Sequence, residues 1–124
     1  MTIDTNIIIA YLDDETVIVE ALTRQREYGG LLYLPTIVET EILSFSKWKS
    51  MAEQRDVESF LETNFVSVPL DRVLCRIAAE IRRNTKIKSP DAIVAATAIY
   101  TNTPLVTRNT RDFKNVRGLN ILTL

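Results

Sequence analysis

The chain contains no histidine. This excludes Ser-His-Asp and Cys-His nucleophile systems, histidine-ligated zinc, and proton transfer by imidazole. It has one cysteine, Cys75. No intramolecular disulfide and no cysteine-rich metal site can therefore form. Cys75 is expected to pack at the flank of a helix, without the electropositive partner that a reactive thiol needs. No apolar run reaches the roughly 20 residues of a membrane span. Internal repeats, low-complexity segments and linkers are absent too. The opening Met1-Thr2-Ile3-Asp4 runs straight into a polar motif, so no signal peptide is expected. With no disulfide framework, a reducing cytoplasm is the expected compartment. The chemistry left open is that of carboxylates and metal ions.

A length of 124 residues suits one domain, residues 1–124, with a sizeable core. An apolar fraction of 46% fits a folded chain rather than a disordered one. The net charge of −1 hides an asymmetry. Residues 1–81 carry seven basic and fourteen acidic side chains, a balance of −7; residues 82–124 carry eight and two, a balance of +6. The basic set is Arg82, Arg83, Lys86, Lys88, Arg108, Arg111, Lys114 and Arg117. Such a skew marks either a solvated surface or a face for polyanions. Phosphate contacts are expected from Arg108, Arg111 and Lys88, which lie in or beside two acidic motifs.

The apolar pattern alternates short strands with longer helices. Strands are expected at 1–4, 31–34, 65–68, 105–107 and 120–122. Helices are expected at 6–12, 15–28, 36–48, 55–63, 70–83 and 90–100. Gly29-Gly30 ends the second helix, and Pro35 closes the second strand. In the helix over 70–83, Leu70, Val73, Leu74, Ile77, Ala78 and Ile81 form one apolar face. The helix over 90–100 is apolar almost all round and should be buried. Strands separated by helices imply an α/β fold, a three-layer α/β/α sandwich around a mostly parallel sheet. Ligands in such sheets bind beyond the carboxyl ends of the strands.

Four acidic residues fall near that rim, three of them beside apolar runs. Asp4 follows the first strand in Asp4-Thr5-Asn6. Glu41 lies in the helix after the second strand. Asp91 opens the buried helix in Ser89-Pro90-Asp91-Ala92. Asp112 ends the motif Thr107-Arg108-Asn109-Thr110-Arg111-Asp112. Carboxylates beside apolar runs are costly unless something binds them. An oxygen-only cluster suits Mg²⁺ or Mn²⁺, and such metals commonly serve phosphodiester hydrolysis. Each acid also has a purely structural reading. Asp4 is a good helix N-cap. Thr36-x-x-Glu39 matches a capping box, which makes Glu39 structural and leaves Glu41 without a capping duty. Ser89 as N-cap, Pro90 at N1 and Asp91 at N2 make a favourable helix start. Asn-Thr-Arg-Asp is ordinary turn chemistry. The convergence of all four on one rim favours a site. Clustered carboxylates repel one another, so at least one should titrate high.

These motifs resemble the PIN domain: Asp4-Thr5-Asn6, Glu41-Ile42-Leu43, the run Ser89–Ala98, and Leu105–Phe113. Within that family the chain is most similar to the VapC-type toxins of toxin–antitoxin pairs, over essentially its whole length. The resemblance implies an α/β/α sandwich and a metal-dependent endoribonuclease. It also implies a homodimer and a cognate antitoxin that blocks the site. It places the catalytic, Mg²⁺- or Mn²⁺-binding acids at Asp4, Glu41, Asp91 and Asp112. Thr5, Asn6, Thr107 and Asn109 are the implied supporting polar groups. Asp4 comes earlier than is usual in the family, so the first strand should be very short. Two other readings share these residues: a metal-dependent DNA nuclease, and an interaction domain that keeps the fold without catalysis. For a toxin, Tyr11, Phe45 and Trp48 are candidate linings of a groove for a basic antitoxin segment; for Trp48 the plain alternative is a place in the core.

Overall fold

The computed structural model describes all residues, 1–124. Five short parallel strands form one sheet: β1 (Thr2–Ile3), β2 (Tyr33–Pro35), β3 (Val66–Val68), β4 (Leu105–Val106) and β5 (Ile121–Leu122), in spatial order β3-β2-β1-β4-β5. Seven helices connect them: α1 (Thr5–Leu12), α2 (Thr16–Glu27), α3 (Thr36–Leu43), α4 (Met51–Asn64), α5 (Arg72–Asn84), α6 (Ser89–Thr101) and α7 (Thr110–Phe113). The chain winds outward from β1 through β2 to β3, then crosses back to β4 and β5. Because parallel crossovers are right-handed, the two directions of winding put helices on opposite faces of the sheet. The expected α/β/α sandwich is what the chain forms, with a fully parallel sheet.

The strands are short because the core is carried mostly by helix faces. Ile3, Leu34, Leu105 and Val106 are buried in the sheet, against Ile7, Val38, Ile42, Leu74 and Phe113 from the helices. Six residues of α6 are buried, four of them alanine. Alanine adds no side-chain entropy cost and lets neighbours approach closely. Helix α6 accordingly packs against α5 and the central strands β1 and β2. Helix α2 ends in a Schellman motif: Gly29 has φ +77°, Gly30 N donates to the Gln25 carbonyl at 2.9 Å, and Gly29 N to that of Arg26 at 3.0 Å.

Several local expectations are corrected. Helix α3 stops at Leu43, not at Trp48. Ser44 Oγ donates to the Glu41 carbonyl at 2.8 Å and Trp48 Nε1 to that of Ile42 at 2.7 Å, so side chains take over the last-turn acceptors. The Thr36–Glu39 capping box does not form: Pro35 is the N-cap, and Glu39 accepts from Ser67 Oγ at 3.3 Å. A capped start lies instead at Ser50, whose Oγ accepts from Glu53 N at 3.0 Å, while Glu53 accepts from Lys49 N at 2.8 Å. Helix α4 therefore begins four residues earlier than its apolar pattern suggests. Asp71 caps α5, so Leu70 lies outside that helix and, like Val73, stays exposed. Cys75 is exposed, because the buried stripe of α5 runs through Leu74, Ala78 and Ile81.

Candidate active site

In an open parallel sheet the crevice lies where the winding reverses, at the carboxyl ends of the strands. Here that point falls between β1 and β4. Asp4 leaves β1 with its N–H on the Val106 carbonyl at 3.1 Å, and Thr107 follows β4 directly. The strand ends thus put Asp4 and Thr107 side by side. Thr107 is fully buried and Asp4 is 6% exposed.

Asp4 is held by three donors. Oδ1 accepts from Thr5 N at 2.8 Å, which makes Asp4 the N-cap of α1. Oδ2 accepts from Thr107 Oγ1 at 2.8 Å and more weakly from Asn6 Nδ2 at 3.4 Å. Asn6 also bonds outward: its Nδ2 donates to Thr107 Oγ1 at 3.3 Å and its Oδ1 accepts from Arg108 N at 3.1 Å. Asn109 N donates to Thr107 Oγ1 at 3.0 Å. Thr5, Asn6, Thr107 and Asn109 therefore form one polar scaffold around Asp4. Burial pushes the Asp4 carboxyl above the ordinary carboxylate range; the three hydrogen bonds oppose that shift, and Asp112 adds to it.

The other acids come from separate elements. Glu41, on α3, accepts from Thr5 Oγ1 at 2.7 Å. Asp112, on α7, accepts from Asn109 Nδ2. Asp91 is at the third position of α6, after Lys88 as N-cap, Ser89 and Pro90; the start is one residue off the expected Ser89 cap. No hydrogen bond holds the Asp91 carboxylate. Its pKa is raised by burial first, then by repulsion from Asp4, Asp112 and Glu41, with Lys88 opposing. Asp91 thus shares an electric field with all three other carboxylates. Neither ion pair of the protein, Lys47–Asp13 and Arg108–Glu15, involves any of the four. As the side chains lie, no three acids converge to the spacing of a bound ion. Glu41 and Asp112 are turned to Thr5 and Asn109. An all-oxygen donor set in which the Asp4 and Asp91 carboxyls are pushed up and no acid forms an ion pair fits a hard divalent ion.

The expected phosphate contacts divide. Lys88 and Arg111 line a cleft of about 300 Å³ that opens on Asp91 and Asp112. Arg108 instead pairs with Glu15 through both terminal guanidinium nitrogens, Nη1 and Nη2. Two residues of the site's surroundings escape the sequence reading. Nothing local signals Glu15 as a partner of Arg108. Lys86 also lines the cleft, and its place two residues before Lys88 across buried Ile87 is a signal by alternation. Among the groove candidates, Trp48 is half-buried and lines a cavity of about 390 Å³ with Leu12, Val57, Lys47, Asp13, Glu53 and Asp56. Tyr11 faces elsewhere, against Phe60 at 5.2 Å and under Arg26. Phe45 packs on the core.

A parallel α/β domain with carboxylates gathered at its switch point defines a class, and comparison with known proteins names it. The family model of the PIN domain matches residues 1–119, and the chain belongs to that family. It is 31% identical to Ribonuclease VapC1 of Rickettsia felis over 133 aligned positions, covering 100% of this chain and 96% of that protein. The fold is shared with VapBC2 from Rickettsia felis, solved bound to a promoter DNA fragment. That match has a TM-score of 0.86 and 19% identity, over 99% of this chain and 97% of that one. A toxin–antitoxin complex from Klebsiella pneumoniae matches with a TM-score of 0.78 and 25% identity, over 95% and 93% of the two chains. No helix is long and apolar enough to cross a membrane.

Proposed function

We propose that this chain is a metal-dependent endoribonuclease and the toxin of a type II toxin–antitoxin pair. The observation that carries the reading is the setting of Asp91: a carboxylate without a hydrogen bond, repelled by three others and unpaired with any cation. Full-length similarity to a ribonuclease of the VapC group supports it. Asp4, Asp91, Glu41 and Asp112 would hold Mg²⁺ or Mn²⁺. When bound, such an ion would lower the pKa of water and offset the negative charge that develops on the phosphate oxygens. The rest falls to the protein. Thr107, Asn6 and the Thr5 N–H fix Asp4 in one orientation. Thr5 aims Glu41, which would orient the attacking water. Without histidine, water must protonate the leaving oxygen.

The test is cleavage of RNA and of DNA by the purified chain with Mg²⁺, with Mn²⁺ and with EDTA. RNA cleavage that needs the metal is expected. Unchanged cleavage in EDTA would sink the mechanism, and cleavage of DNA alone would replace ribonuclease by deoxyribonuclease. The partner is a cognate antitoxin, with the toxin as a homodimer. Its basic segment would seat against Trp48 beside Glu53 and Asp56, displacing Lys47 from Asp13 and from the Trp48 ring, with an Arg or Lys directed to the carboxylates. Expression with and without the neighbouring gene checks this: Trp48→Ala should weaken co-purification while metal-dependent cleavage persists. A neighbour that never co-purifies, and a chain harmless to its host, would remove the toxin assignment alone.

A further inference from the structure

The segment between α5 and α6 is built to present cations. Thr85 and Lys88 are extended, and Ile87 is buried. Arg82 Nε donates to the Ile87 carbonyl at 3.3 Å, and Thr85 Oγ1 accepts from Ile87 N at 3.3 Å. In an extended segment, neighbours of an inward residue point outward together. Lys86 and Lys88 therefore stand on one side. Arg111 lines the same cleft from α7, which Phe113 anchors with no exposed surface. None of the three cations has an ion-pair partner. Two carboxylates, Asp91 and Asp112, line the same cleft. Three unpaired cations beside a carboxylate pair suit a strand whose scissile phosphate sits at the acids and whose next phosphate sits among the cations. Arg108 cannot join them while it is paired with Glu15.

We infer that Lys86, Lys88 and Arg111 form a phosphate subsite for the RNA strand next to the cleavage point, whereas Arg108 serves as a clamp that ties the Thr107–Asp112 segment to Glu15. The inference rests on the ribonuclease reading and adds the path of the strand. Lys86 becomes a binding residue, and Arg108 leaves that role. These contacts carry affinity and register, not base choice.

The experiment measures binding of a fluorescent single-stranded RNA oligomer to the full chain across a salt series, with cleavage kinetics beside it. Each phosphate contact on a single strand contributes about 0.7 to the slope of log K against log salt. Lys86→Ala, Lys88→Ala and Arg111→Ala should each lower the slope by about 0.7. That corresponds to roughly fivefold weaker binding at 0.1 M salt, taking 1 M as the point of convergence. KM should rise with kcat little changed. Lys86→Arg and Lys88→Arg should restore the slope, and melting curves confirm that each variant folds. Arg108→Ala should keep the wild-type slope. Metal-dependent RNA cleavage combined with an unaltered slope in the Lys86/Lys88/Arg111 triple alanine variant would overturn the subsite alone. An Arg108→Ala slope loss as large as theirs would overturn the clamp. A wild type that neither binds nor cuts RNA would overturn the ribonuclease reading and the subsite together.

Discussion

Asp4 and Asp91 face the same crevice under opposite regimes. Asp4 is almost fully buried, accepts three hydrogen bonds and caps a helix. Asp91 is half-buried, accepts none, and is flanked by three other acids. Both carboxyls are pushed up, by burial first. The protein opposes the shift at Asp4 with hydrogen bonds, and at Asp91 only with the charge of Lys88. Asp4 is thus part of the architecture and of the proposed site at once, whereas Asp91 has no structural duty that its hydrogen bonds reveal.

The largest effect that tests this contrast is catalytic. Asp91→Asn should lower metal-dependent RNA cleavage at least about a hundredfold, a loss of roughly 2.7 kcal/mol in transition-state stabilisation. The circular dichroism spectrum should not change. Single-turnover cleavage measures the loss, and near wild-type turnover would remove Asp91 from the site.

Metal linkage should be of similar size. At free Mn²⁺ about 100 times Kd, stability should rise by about 2.7 kcal/mol. Calorimetry of wild type and of an Asp4→Asn/Asp91→Asn double variant, each with and without Mn²⁺, decides whether both acids share the ion. An equal shift in both proteins would mean that the ion binds elsewhere.

A smaller difference separates the two acids in metal-free buffer. Asp4→Ala removes an N-cap and strands the Thr107 hydroxyl in a buried place; a cost of about 1–2 kcal/mol is expected. Chemical denaturation should show that loss for Asp4→Ala and none for Asp91→Ala. Equal losses would erase the contrast.

The smallest effect is a pH dependence. Because the folded pKa of Asp91 is raised above its ordinary 3.8, its contribution to stability is full below that value and is lost as pH rises through the folded pKa. Asp91→Asn should therefore stabilise the metal-free fold near neutral pH, by a small amount because Asp91 is only half-buried and solvent screens the repulsion. The gain should vanish on acidification below pH 3.8. Parallel melts at several pH values read it. A gain that grows toward acid would reverse the sign and refute the destabilisation of the charged Asp91 by burial and repulsion.

Much of this contrast was legible in the sequence, and the reasons differ by residue. The Asp4 motif could be read twice, as a cap and as a site, and the structure uses the cap while bringing Thr107 to the second oxygen. The order of strands and helices was legible because the apolar periods were clean. Capping was less so. Thr36–Glu39 has the residue types of a capping box but follows Pro35, which takes the cap position itself. Ser50–Glu53 has the same spacing and forms the cap, but without an apolar run behind it the start of α4 was hidden. Helix α7 is four residues long, too short to show a period. The Glu15–Arg108 pair joins positions far apart in sequence, which no local pattern reveals.

The buried alanines of α6 bear on how freely this gene can drift. Asp91 rides on a helix whose inner positions Ala92, Ala95, Ala96 and Ala98 leave no exposed surface or almost none. Adding even a methyl group or two there costs about 1–3 kcal/mol, and the strain is met partly by shifting backbone. A shift of α6 along its axis moves the carboxylate at its tip. A genetic selection for inactive chains should therefore recover valine or threonine at these alanines beside changes at the acids. Inheritance would guard four of the smallest side chains in the protein as closely as its charges.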